Sequence, residues 1–83
     1  MQREWTDAEL ASRVSDWTPA AEQSEVLALL RSYGDAPHHY ERDRVRRVLL
    51  QSCGGSLDRL RMLLDMAKRD YRDVLVRDPG PNA

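Results

Sequence analysis

The stretch Ser56–Val76 carries two periodicities at once. Leu57, Leu60, Leu64, Ala67, Tyr71 and Val74 recur at alternating steps of three and four residues, while Arg61, Asp65, Arg69, Asp73 and Arg77 recur every four with alternating charge. Only an α-helix aligns both sets, the first as an apolar seam and the second as a ladder of i,i+4 ion pairs. The upstream patterns are helical too. Thr6-Asp7-Ala8-Glu9 fits a capping box with Thr6 as N-cap, Trp5 stands where a hydrophobic staple onto Leu10 is expected, and Leu10, Ala11, Val14 and Trp17 share a face. Thr18-Pro19 repeats that start chemistry, with proline at the first helical position, ahead of Val26, Leu27, Leu29, Leu30 and Tyr33. Gly34 then supplies a C′ stop.

Asp35-Ala36-Pro37 reads as a third start, with an inward line at His38, Val45, Val48, Leu49 and Ser52 that ends at Gly54-Gly55. Ser56 caps the last helix, and Asp58 in its first turn suits the helix dipole. No segment alternates with period two alongside β-branched enrichment, so strands are not expected. The expected fold is therefore all-α, a single compact four-helix bundle with helices at about 7–16, 19–33, 37–52 and 56–76. The last helix should be the longest and the most buried. Residues 1–78 form one domain on this reading, and Pro79-Gly80-Pro81-Asn82-Ala83 a disordered C-terminal tail that cannot extend the helix.

Size and charge sharpen this only slightly. A chain of 83 residues buries about 60–65% of its unfolded surface, which leaves a thin stability margin and makes a partner or a homodimer energetically relevant. The net charge of −1 gives no bulk argument for nucleic acid or membrane. Its distribution is uneven: residues 1–35 hold 7 acids and 3 bases, and residues 36–83 hold 7 acids and 10 bases. An acidic front half packed beside a basic back half accounts for that asymmetry. Cys53 is alone, so no intramolecular disulfide is possible and a reducing cytoplasm is expected. Met1–Trp5 has no apolar core of a signal peptide, and no apolar run approaches the roughly 18 residues of a membrane span.

Three sets of residues are candidates for function. On the last helix Met62 and Met66 lie opposite the seam and Leu63 to one side, an over-apolar surface suited to a protein partner or a second copy of the chain. Arg42, Arg44, Arg46 and Arg47 make the third helix locally basic and are the alternative, a phosphate-contacting surface of a nucleic-acid-binding accessory protein. Against that, the final helix carries Asp58, Asp65, Asp70 and Asp73, which a major-groove helix would avoid. His38, His39 and Cys53 lack metal-ligand spacing, and no catalytic constellation stands out, so neither metal, cofactor nor enzyme activity is expected.

Gly54-Gly55-Ser56-Leu57 followed by Ala67-Lys68-Arg69-Asp70-Tyr71-Arg72-Asp73-Val74-Leu75 resembles a group of small uncharacterised bacterial helical proteins that end in an Arg-Asp-Tyr-Arg-Asp-Val-Leu-type segment. The resemblance spans about residues 26–76 and implies a bacterial cytoplasmic helical protein. It brings no activity and no catalytic residue. The expected function is a small cytoplasmic protein-interaction module, either homodimeric through its last helix or bound to a larger protein.

Overall fold

The computed structural model describes residues 4–81, and among these the chain is all-α: α1 (Asp7–Trp17), a 3-10 turn (Ala20–Glu22), α2 (Gln23–Ser32), α3 (Arg42–Cys53), α4 (Leu57–Arg69) and a short α5 (Tyr71–Leu75). The capping box at α1 is formed in both directions. The Glu9 N–H donates to Thr6 Oγ1 at 3.1 Å, and the Thr6 N–H donates to Glu9 Oε1 at 3.2 Å. Trp5 and Leu10, the staple pair, both belong to the core.

α2 begins four residues later than the proline signal suggests. Thr18 closes α1 with an extended backbone, and Pro19 opens the 3-10 turn rather than the helix. The Gln23 side chain explains the delay. Its Nε2 donates to the carbonyls of Ser15 and Thr18, both at 3.0 Å, so the first residue of α2 is tied to the carbonyls that α1 leaves without helical partners.

The third helix starts at Arg42, not Pro37, because residues 34–41 fold back over the buried ring of Tyr33. The Tyr33 hydroxyl donates to the Tyr40 carbonyl at 2.7 Å, and His39 stacks on the Tyr33 ring with centroids 4.7 Å apart. Gly34 reverses the chain at φ 112°, and a Cβ there would lie 2.7 Å from the Arg42 side chain. His38, expected on the inward line, is exposed.

α3, not the last helix, is the centre of the molecule. It packs against α1, α2, α4 and α5, and Val45, Arg46, Arg47, Val48, Leu49 and Leu50 are buried in succession. Such a run has no helical periodicity and arises only where neighbours cover a helix on every side. α4 is the longest element at 13 residues, with Leu60, Leu63, Leu64 and Ala67 buried.

The expected 56–76 helix is broken at Asp70, which is extended at φ −154° and ψ 102°. Its N–H still closes α4 onto the Met66 carbonyl at 2.8 Å, while its carboxylate accepts the Arg72 N–H at 3.1 Å and so caps α5. The apolar seam survives the break, since Val74 is fully buried. The charge ladder does not. Of its links only Asp65–Arg69 forms, at 2.5 Å, and Arg61 reaches across to Glu25 of α2 at 2.9 Å.

Residues 79–81 are docked rather than disordered. Gln51 Nε2 donates to the Gly80 carbonyl at 3.0 Å, and the Trp5 indole N–H donates to the Pro81 carbonyl at 3.1 Å. Asn82 and Ala83 of the expected tail lie outside the described residues.

Candidate partner-binding site

Of the four arginines on α3, two are structural. Arg47 is 1% exposed, and its five N–H groups all have partners. Nε donates to Glu4, Nη1 to Gln51 at 2.9 Å and to Asp78 at 2.6 Å, and Nη2 to Glu4 at 3.2 Å and to Asp78 at 2.9 Å. The Arg47 guanidinium, helped by Arg44 at 2.8 Å and the Gly80 N–H, holds the Asp78 carboxyl well below the usual carboxylate range. Arg46 donates from Nε to the Tyr33 carbonyl at 2.9 Å and from Nη2 to the Arg31 carbonyl at 2.8 Å. It thus caps the C-terminus of α2, where the helix dipole favours a cation. Burial lowers its pKa from the ordinary arginine value, although it stays charged.

Arg46 and Arg47 therefore present no surface to a phosphate backbone, which corrects the expectation placed on them. Arg44 bonds Asp78 and Glu41, and the exposed Arg42 pairs with Asp43 at 3.1 Å. The uneven charge of the two halves is satisfied internally by Arg47–Glu4, Arg46–Asp7 and Arg61–Glu25.

The apolar set on α4 does not come together either. Leu63 is 0% exposed and belongs to the core, so it cannot face a partner. It is buried because α4 is covered by α2 as well as by α3 and α5. Met66 is partly buried against the core. Met62 alone is open, at 54% exposure, and its helical neighbours Asp58 and Asp65 are charged and exposed. A lone exposed methionine among charges is not a contiguous apolar patch.

A different surface does assemble. The 34–41 loop and the α4–α5 junction enclose a groove of about 390 Å³, lined by His38, Tyr40, Lys68, Arg69, Tyr71 and Arg72, with Ala67 and Asp70 between them. Tyr40 is 58% exposed, and its ring lies 5.6 Å from that of Tyr71. The loop that carries Tyr40 is held by Tyr33 and His39. His39 Nδ1 accepts the Gly34 N–H at 3.0 Å and the Ala36 N–H at 3.4 Å, so that nitrogen carries no proton. Desolvation, with nearby His38 and Lys68, lowers the His39 pKa from its ordinary value. Burial also pushes the Tyr33 phenol up to about 12, which keeps it a donor to the Tyr40 carbonyl. Glu41, directly after Tyr40, is the one non-glycine described residue with positive φ, at 50°.

Sequence reasoning missed this groove because Tyr71 fits the core seam and Tyr40 belongs to no periodic pattern. One signal was available: Lys68 is the only lysine among 13 basic residues. Arginine suits internal bidentate pairing, whereas lysine is a strongly hydrated point charge that favours the surface. Lys68 makes no hydrogen bond or ion pair among the described residues.

Elsewhere, Cys53 is buried and its Sγ donates to the Leu50 carbonyl at 3.3 Å. Arg13 lies over the Trp5 and Trp17 rings at 5.1 and 5.8 Å, a cation–π arrangement. Among the described residues there is no cluster of three or more His, Cys, Asp or Glu placed to hold a metal ion, and no helix long and apolar enough to cross a membrane. No protein-family model, curated protein or solved structure matches this chain.

Proposed function

We propose that this chain is a protein-interaction module of the bacterial cytoplasm, presenting the groove between the 34–41 loop and the α4–α5 junction to a partner protein. The observation that carries this reading is the pairing of two neighbouring tyrosine rings with Lys68, a cation without a hydrogen bond or ion pair among the described residues, on a scaffold whose buried cations Arg46 and Arg47 are engaged internally. Tyrosine is favoured at interfaces because one rigid side chain supplies both apolar area and a hydroxyl. Self-association through α4, the other form of the same reading, would rest on Met62 and the edge of Met66.

Affinity capture from the native cytoplasm with wild-type, Tyr40→Ser and Met62→Glu baits tests the assignment. The expected outcome is a specific partner retained by wild-type and by Met62→Glu and lost with Tyr40→Ser. Loss with Met62→Glu alone would instead move the interface to α4, and light scattering would then show whether the partner is a second copy of the chain.

A further inference from the structure

The groove holds several hydrogen-bond donors without a partner among the described residues, and its side-chain acceptors besides Asp70 are the Tyr40 and Tyr71 hydroxyl oxygens, which also donate, and the His38 ring. Neither the Tyr40 nor the Tyr71 hydroxyl, nor the Lys68 ammonium, has a hydrogen-bond partner among the described residues. Arg69 engages Asp65 through Nη2 only, at 2.5 Å, and Arg72 engages Asp70 through Nε and Nη2, at 3.1 and 3.3 Å. The single carboxylate in the lining, Asp70, is already occupied. Both of its oxygens accept from the Arg72 guanidinium, and Oδ1 also accepts the Arg72 backbone N–H. Of the three lining cations, Arg72 is paired with Asp70 and Arg69 with Asp65, which leaves Lys68 and the two phenols without a hydrogen-bond partner among the described residues.

A surface of that kind is complementary to a group that only accepts, and an ionised carboxylate is such a group. Beside the donors lie the two tyrosine rings, one of them more than half exposed, which offer a face to an apolar side chain. We infer that the groove binds an acidic segment of a partner protein, with one or more Asp or Glu carboxylates on Lys68 and the tyrosine hydroxyls and an adjacent apolar side chain on the Tyr40–Tyr71 pair. This rests on the interaction-module reading and specifies the chemistry of the partner.

A single strand of nucleic acid offers stacking and charge as well, but it needs cations continuing along its backbone. Here they stop at the rim. Glu41 follows Tyr40 directly, Asp73 follows Arg72, Asp65 lies on Arg69, Arg42 and Arg44 are paired with Asp43, Glu41 and Asp78, and Arg46 and Arg47 are buried. A short acidic segment matches a local patch of positive charge bounded by acids, and a polyphosphate strand does not.

The test uses the whole chain and fluorescence anisotropy with a short labelled peptide in which glutamates flank a central Phe-Leu pair. Its controls are the same peptide with lysine in place of glutamate and a single-stranded oligothymidylate. The glutamate peptide should bind at least about tenfold more tightly than the lysine peptide. Lys68→Gln and Tyr40→Ser should each weaken it by about tenfold, a difference that conservative loss of one hydroxyl in Tyr71→Phe should reproduce in part. Met62→Glu should leave it unchanged, and thermal melts should show all variants folded.

Carbodiimide coupling should join a peptide carboxylate to Lys68, and because this is the only lysine in the chain the product is identified by mass spectrometry. Equal binding of the two peptides, no binding, or tighter and equally variant-sensitive binding of the oligothymidylate would overturn the inference. If the acidic peptide fails while partner capture still depends on Tyr40, only the acidic chemistry falls. If capture is also insensitive to Tyr40, the groove falls with it.

Discussion

Arg46 and Arg47 are adjacent on α3 and solve different problems. Arg46 supplies N–H donors to the last carbonyls of α2, and Arg47 joins the two ends of the chain through Glu4 and Asp78. Both tasks need the planar fork of a guanidinium, and a lysine at either place would leave buried acceptors unmet. Lys68 marks the opposite case, a cation with no hydrogen bond or ion pair among the described residues. His39 shows how a titratable group can serve as a fixed acceptor. Its folded pKa is lowered by burial, by His38 and by Lys68, with Asp35 opposing. Above the unfolded value of about 6.5 both states are neutral, and the contribution of His39 to stability is complete. As pH falls below that value the unfolded chain takes up a proton that the folded loop refuses, so the contribution is lost. An NMR titration of the His39 ring should give a midpoint below 6.5, and the Gly34 and Ala36 amides should lose exchange protection over the same range.

At the scale of elements, the break between α4 and α5 matters most. A continuous helix would carry the i,i+4 ladder through Asp73 to Arg77; instead the Asp70 carboxylate turns back to the Arg72 N–H and starts a new helix. Aspartate competes in this way because its short side chain offers the backbone an alternative acceptor. The redirected α5 places Tyr71 and Arg72 beside the 34–41 loop, so the groove exists because the helix stops. Asp70→Ala removes the cap and should cost about 1 kcal/mol. Chemical denaturation should register that loss, and the Tyr71 and Val74 amides should exchange faster than those of α3. A long helix was legible from residues 56–76, whereas its interruption was not, because an aspartate at Asp70 is equally at home on a solvated helix face.

For the whole molecule, the latch around Arg47 closes the 1–78 domain, and the Gly80 N–H donates to Asp78 beside it. It ties residues separated by 43 and 31 positions to one buried guanidinium. Removing one side of a buried ion pair leaves an uncompensated charge, at a cost of about 3–5 kcal/mol, whereas an apolar substitute for the entire set can be neutral. Asp78→Ala is expected near or below the lower end of that range, because Glu4 still faces Arg47, and equilibrium unfolding in urea measures it. The acid response has a definite sign. Asp78 has a folded pKa depressed from 3.8, so its contribution is complete above that pH. It is lost at lower pH, where the unfolded state binds the proton first. The wild-type melting temperature should therefore fall more steeply than that of Asp78→Asn as pH drops below about 4.

Local chemistry was legible in the order of residues: the all-α class, the capping box at Thr6 and Glu9, the cap at Ser56, and the seam from Leu57 to Val74. Each is set by residues a few positions apart, whose interactions form wherever the segment is helical. Packing between distant segments makes α3 the central helix, puts Leu63 in the core and Met62 at the surface, and turns Arg46 and Arg47 inward. It also brought Tyr40, Lys68 and Tyr71 into one groove. Those outcomes depend on which neighbours cover a helix face and where distant carbonyls and carboxylates arrive. Helical periodicity describes the angle of a residue around its own axis and contains neither quantity.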